Sequence, residues 1–178
     1  MPIDTQTVRR RLEAAHVFDV TRPYRGTFIG SIALDLHGED ADADIVCEAM
    51  DLAAFRNALT AAFGARPDFH IDADLYLDRP AMICRFALDG LPVEVFGRPE
   101  PLEGHESYRH FRAAERLLAI GGEGLRQAVR NLKAQGLKTE PAFAQALALP
   151  GRPFDAMLDL ETAPDADLAA LCRAAGFA

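Results

Sequence analysis

Apolar positions recur at helical spacing between Asp4 and Val17, where Val8, Leu12 and Ala15 form one stripe and Asp4 or Thr5 stands where a cap is needed. The spacing predicts an amphipathic helix. Arg22-Pro23-Tyr24 then reads as a loop, and Arg25 to Ile29 as a first strand closed by Gly30-Ser31. Ile32 to His37 keeps no clear period, and Gly38-Glu39-Asp40 supplies a turn. Ala43 to Ala49 is apolar enough for a second, largely buried strand. Asp51 to Phe63 returns to helical spacing, with Leu52, Phe55, Leu59 and Phe63 on one stripe and Gly64 as the stop.

Phe69 to Leu77 and Met82 to Leu88 read as strands, and Asp89-Gly90 is a hairpin turn that returns the chain along Leu91 to Phe96. From Gly104 onward the period is helical only. Ser107 to Ile120, Glu123 to Ala134, Pro141 to Leu149, Pro153 to Leu160 and Asp165 to Gly176 are the expected helices, separated by Gly121-Gly122, Gly136 and Pro150-Gly151. The pattern predicts a layer of strands and helices over residues 1–103, followed by a helical region over residues 104–178 that packs on it or extends it.

Composition narrows the function classes. At 178 residues the chain suits one domain, or one domain with a helical appendage. A formal net charge of −8 argues against holding long nucleic acid, which needs clustered Lys and Arg on phosphates. A nucleoside triphosphate remains compatible, because bound metal can carry its charge. Cys47, Cys84 and Cys172 are odd in number and widely spaced, which fits three reduced thiols of a cytoplasmic protein rather than a disulfide framework or zinc knuckle. Arg9, Arg10 and Arg11 are followed by no apolar region, so the N-terminus does not read as a secretory signal. No apolar run approaches membrane-spanning length. The histidines have no metal-ligand spacing, and no Gly-x-Ser-x-Gly, Walker loop or dinucleotide fingerprint occurs.

The stretch with most chemistry runs from Gly30-Ser31 to Asp42-Ala43-Asp44-Ile45-Val46. On a strand, Asp42 and Asp44 point to one face with Cα atoms roughly 7 Å apart. Paired carboxylates suit hard divalent cations, and a glycine beside them lets a phosphate approach closely. Glu94 lies in Pro92-Val93-Glu94-Val95-Phe96, where alternation sets it with Phe96 on the face opposite Val93 and Val95. A glutamate in so apolar a strand calls for a metal, a basic partner or a solvated sheet face. A second Asp-x-Asp, Asp72-Ala73-Asp74, has no preceding Gly-Ser and reads as a solvated strand face.

Gly30-Ser31 followed by Asp42-x-Asp44, with Glu94 as a later carboxylate, resembles the signature of the nucleotidyltransferase superfamily, the polymerase-beta-like fold. A closer resemblance is to a bacterial nucleotidyltransferase-like family of unknown function. It rests on Gly30 to Glu48, Val93 to Gly97, Tyr108-Arg109-His110 through Glu115-Arg116-Leu117-Leu118, and Gly136 to Ala144. The resemblance implies an α+β fold, with a nucleotidyltransferase-like mixed β-sheet and flanking helices followed by a C-terminal helical region. It also implies a short helix after Ser31. The activity it implies moves a nucleoside monophosphate from a nucleoside triphosphate to a small-molecule or protein hydroxyl. Asp42, Asp44 and Glu94 would hold Mg²⁺, or Mn²⁺ in its place, for two-metal in-line transfer. Gly30 and Ser31 would meet the β- and γ-phosphates, and Glu94 is also the candidate base.

One departure from that pattern bears on charge. Ile32 to Leu36 contains no Lys or Arg, and Asp35 adds a negative charge where a triphosphate is expected. Basic groups must then come from elsewhere. Arg109, Arg112 and Arg116 share a helix face at i, i+3, i+7 spacing, His110 stands beside them, and Lys138 lies in a loop before the next helix. Arg109, His110 and Lys138 are the candidate nucleotide-binding residues. The plainer reading of the same residues is a solvated helix face paired with Glu106 and Glu115, with Thr139 as a helix cap. Two further readings stand beside the transferase: a non-catalytic module of the same fold that binds a protein or senses a nucleotide, and a metal-dependent phosphohydrolase.

Overall fold

A computed structural model describes residues 4–38, 41–76 and 79–177, the side chains of residues 74–76 excepted. The turn expected at Gly38-Glu39-Asp40, the strand end at Leu77 and the Asp74 side chain of the second Asp-x-Asp fall wholly or partly outside the described residues.

The chain divides into two compact units. The first contains Met1–Ala33 and Glu39–His105, and the second contains Leu34–Gly38 and Glu106–Ala178. In the first, helix α1 (Thr5–Ala14) begins where the Asp4 carboxylate accepts the Thr7 N–H at 2.9 Å. The single helix expected to Val17 breaks at His16, which takes a left-handed conformation and restarts the chain as α2 (Val17–Thr21). A 3₁₀ turn, Arg22–Tyr24, stands where a loop is expected. It leads to strand β1 (Thr27–Ile29), the one-turn helix α3 (Gly30–Ala33), β2 (Ala43–Glu48) and α4 (Leu52–Phe63). Asp51 caps α4 by accepting N–H bonds from Ala53 and Ala54, and Phe55, Leu59 and Phe63 are its buried stripe.

Strands β3 (His70–Tyr76), β4 (Arg79–Leu88) and β5 (Leu91–Arg98) complete a five-stranded mixed sheet in the order β1-β2-β5-β4-β3. Asp89-Gly90 makes the tight hairpin between β4 and β5, and Gly90 takes the positive φ of 80° that such a turn needs. β2 and β5 are parallel, while the other neighbours are antiparallel. Alternation sends Ile45, Cys47, Val93, Val95, Cys84 and Phe86 into the core, where Phe63 stacks on Phe86 with ring centroids 4.5 Å apart. The opposite face of the same strands carries the polar residues.

The second unit is helical. α5 (Glu106–Ala134) is interrupted at Gly122, whose φ of 63° and ψ of −157° no helix contains, so the break expected at Gly121-Gly122 is present within one long run. α6 (Thr139–Ala146), α7 (Pro153–Glu161) and α8 (Asp165–Ala174) follow. Leu117, Leu118, Leu125, Val129, Phe143, Met157 and Leu168 form its apolar centre, together with Leu34 and Leu36 from the short segment that belongs to this unit. The fold is α+β, a mixed sheet with flanking helices and a run of helices after it.

Candidate functional site

The register of the sheet gathers the charged residues of the first unit. Ile29 lies across from Asp44, Asp44 from Glu94, Glu94 from Arg85 and Arg85 from His70. Ile29, Asp44, Glu94, Arg85 and His70 therefore form one row across all five strands, on the face away from the core. Asp42 immediately precedes β2 and is exposed. Its charge acts on Asp44, as does that of Glu94. The three carboxylates expected to act together are near one another.

Asp44 bears the consequence. Burial, then the charges of Asp42 and Glu94, push its carboxyl up from the ordinary value to about 8. At neutral pH, without a cation, it retains its proton. Gly30 is part of the same arrangement. It has a φ of 81°, and a Cβ there would fall 2.2 Å from Asp44 Oδ2. A side chain at this position would both strain the backbone and collide with the carboxylate, so the Gly-Ser bend is fitted to Asp44. Ser31 follows, half-buried, at the start of α3, which Thr5 anchors by donating its hydroxyl to the Ile32 carbonyl at 2.7 Å.

Glu94 has a basic partner. Arg85 Nη2 lies 2.6 Å from Glu94 Oε2, with the guanidinium half-exposed and the carboxylate about a quarter exposed. This partner was missed in the sequence, although a signal for it exists. A two-residue hairpin turn at Asp89-Gly90 sets Leu88 against Leu91, and counting back places Arg85 opposite Glu94.

Asp42, Asp44 and Glu94 fit a hard divalent cation in donor chemistry, being three carboxylates near one another beside the Gly30 bend. Among the described residues no group of three His, Cys, Asp or Glu side chains is gathered into a metal cage. Glu94 is engaged by Arg85 instead.

The basic residues expected to serve a nucleotide lie in the helical unit. Arg109 Nε sits 3.2 Å from Glu161 Oε2. His110 Nε2 lies 2.9 Å from the Phe154 carbonyl, and its Nδ1 lies 3.7 Å from Glu140 Oε1. Arg116 donates to the Glu161 and Ala163 carbonyls and to Asp165, each at 2.6 Å. Arg112 pairs with Glu115 on the surface at 3.6 Å. Lys138 is exposed and occupies the N-cap position of α6, where Thr139 was the expected cap; the Thr139 hydroxyl instead accepts from Lys133 Nζ at 3.0 Å. Asp35 also belongs to this unit. Its carboxylate is held by Arg130, whose Nε donates to the Asp35 carbonyl at 2.9 Å, while Arg126 donates to the Leu34 carbonyl.

Residues 10–160 match the family described as Domain of unknown function (DUF4269). The chain belongs to that family. No curated protein matches the chain. Among solved structures, Cid1, described by its RNA terminal uridylyl transferase activity, superposes with a TM-score of 0.58 at 10% identity, over 80% of this chain and 46% of that one. The non-canonical poly(A) polymerase complex GLD-2–GLD-3 gives 0.57 at 11%, over 80% and 51%. Cid1 poly(U) polymerase with MgGTP bound gives 0.56 at 11%, over 80% and 49%. The chain spans about half the length of these neighbours. The likeness establishes a nucleotidyltransferase-like fold for this DUF4269 member. No helix among its described residues is long and apolar enough to cross a membrane.

Proposed function

We propose that the chain is a metal-dependent nucleotidyltransferase, moving a nucleoside monophosphate from a nucleoside triphosphate to a hydroxyl of a small molecule or protein. The observation that carries this reading is Asp44, buried and crowded by Asp42 and Glu94 beside a glycine whose positive φ and close approach disfavour any side chain. Such crowding costs stability in the empty protein, and a bound cation relieves it. All four stretches that carry the sequence resemblance lie within residues 10–160, the span that matches the DUF4269 family. The net charge of −8 favours a small or protein acceptor over a long nucleic acid. Three free, buried thiols suit a reducing cytoplasm.

Asp42, Asp44 and Glu94 would hold Mg²⁺ or Mn²⁺, which when bound offsets the triphosphate charge and acidifies the acceptor hydroxyl. Gly30 and Ser31 would contact the β- and γ-phosphates through backbone N–H and the Ser31 hydroxyl. The acceptor oxygen bonds to the α-phosphorus as the bond to the bridging oxygen breaks and pyrophosphate leaves. The acceptor's proton passes to Glu94 or to water.

A non-catalytic module is the second reading, favoured because α3 and the residues after it to Leu36 contain no Lys or Arg. Isothermal titration with Mg²⁺ and each nucleoside triphosphate, above pH 8 so that Asp44 is ionised, tests binding. The expected result is heat in the parent that Asp42→Ala with Asp44→Ala abolishes. Heat unchanged by the double substitution refutes the transferase. Pyrophosphate plus an adduct identifies catalysis; binding with neither product identifies the module.

A further inference from the structure

We propose that Arg85 is the counter-charge of the carboxylate face, holding Glu94 in the cation-free protein and binding the phosphate chain of a nucleotide once a divalent cation takes Glu94. This rests on the transferase reading above and concerns a residue that the reading itself does not need.

Geometry places Arg85 for both roles. Arg85 is the direct cross-strand partner of Glu94, which in turn neighbours Asp44 across the parallel pair. The three side chains therefore stand in one row on one face, and movement of the Arg85 guanidinium takes place beside the carboxylates. The ion pair closes at 2.6 Å between groups that are 50% and 27% exposed. A pair so open to water is weak and its release is cheap. A divalent cation on the same carboxylate repels the guanidinium at close range, so cation and Arg85 compete for Glu94. Release does not leave Arg85 idle. Its planar fork carries five N–H donors matched to phosphate oxygens, on a face where α3 supplies no cation.

The proposal predicts two effects of opposite sign. Arg85→Gln in the full chain removes the competitor, so Mn²⁺ alone, followed by electron paramagnetic resonance of the free ion, binds about fivefold more tightly. The same variant binds tripolyphosphate with saturating Mg²⁺ about tenfold more weakly, because a phosphate partner is gone. Arg85→Lys keeps a charge without the fork and falls between the two in both measurements. Thermal unfolding of each variant confirms the fold. A purely structural cross-strand tie leaves both affinities unmoved, or weakens Mn²⁺ binding as Glu94 loosens; either result overturns the role of Arg85. If Mn²⁺ binding is lost in Asp44→Asn but unaffected in Arg85→Gln, the transferase reading survives and only this inference falls. A parent chain that binds neither probe overturns both.

Discussion

Helix α5 of the helical unit and the carboxylate face of the sheet unit treat charge in opposite ways, although the sheet unit pairs charges elsewhere, as Arg25 does with Glu48 and Glu103. In the helical unit, all five arginines of α5 face acceptors: Arg109 with Glu161, Arg112 with Glu115, Arg116 with Asp165, Arg126 with Glu123 and Arg130 with Asp35. In the sheet unit, Asp42, Asp44 and Glu94 crowd one face, where Arg85 is bound to one of them. Paired charges tie segments together and add modestly to stability. Crowded like charges oppose folding and persist where a ligand compensates them. The helical arginines have the spacing of a binding face, and each is also held by a partner within its unit. The carboxylates resemble an acidic loop in sequence, but the sheet register sets Asp44 beside Glu94, and that setting is what the proposed function rests on.

The largest test of that contrast falls on Arg116. Its guanidinium ties the carbonyls that end α7 to the start of α8, donating to Glu161, Ala163 and Asp165 at 2.6 Å while only 23% exposed. Those carbonyls belong to a helix end, where intrahelical partners run out. Arg116→Ala is expected to cost about 3 kcal/mol in urea unfolding. Mn²⁺ affinity of the folded variant should stay within about twofold of the parent. A large loss of Mn²⁺ affinity with little loss of stability would make Arg116 part of a site after all.

Next comes Asp44, where the contrast predicts stabilisation on removing a charge. The folded chain retains the Asp44 proton up to about pH 8, while an unfolded chain releases it near 3.8. Between those values the unfolded state binds fewer protons, so stability falls as pH rises through the window and levels off above it. Asp44→Asn removes this slope. Without divalent cations, the variant should be clearly more stable than the parent at pH 8, with the gap closing toward pH 3.8. Metal binding by the parent should correspondingly strengthen with pH up to about 8, since the proton must leave first. Thermal unfolding across pH in chelator checks the first expectation. A parent that matches the variant at pH 8 would mean that neither burial nor the neighbouring carboxylates weigh on Asp44.

Much of this arrangement was legible from local pattern. The period of two set Val93 and Val95 on one face and Glu94 on the other, and the helical stripe of Phe55, Leu59 and Phe63 located α4. Asp89-Gly90 marked the hairpin and, with it, the unnoticed pairing of Arg85 with Glu94. The adjacency of Asp44 to Glu94 was different in kind. It depends on the parallel register of β2 and β5, which no turn connects and no local signal sets. The helical arginines were hard for a related reason. Periodicity states which residues share a face, whereas Arg109 finds Glu161, and Arg130 finds Asp35, across most of the unit's sequence. The break at His16 was hidden because a left-handed histidine leaves no mark in the apolar stripe.

The smallest expected effect sharpens the comparison most, because charge in the sequence predicts the opposite. An aspartate four residues beyond Ser31 ought to repel a triphosphate, and removing it ought to strengthen binding severalfold. In the structure the Asp35 carboxylate is matched by Arg130. Arg130 also holds the Asp35 carbonyl and Glu123 Oε1, so it keeps two of its anchors when the carboxylate is neutralised. Asp35 itself has a φ of 57°, a conformation that asparagine tolerates, so Asp35→Asn isolates charge from backbone strain. An ion pair with one side 55% exposed contributes little. The variant should lose less than about 0.5 kcal/mol and change tripolyphosphate affinity in Mg²⁺ by less than about twofold at low salt. Severalfold tightening at low salt, vanishing at high salt, would show that the Asp35 field reaches the nucleotide. The helical unit would then act on binding through an unbalanced charge, and the division between paired scaffold and crowded site would not hold.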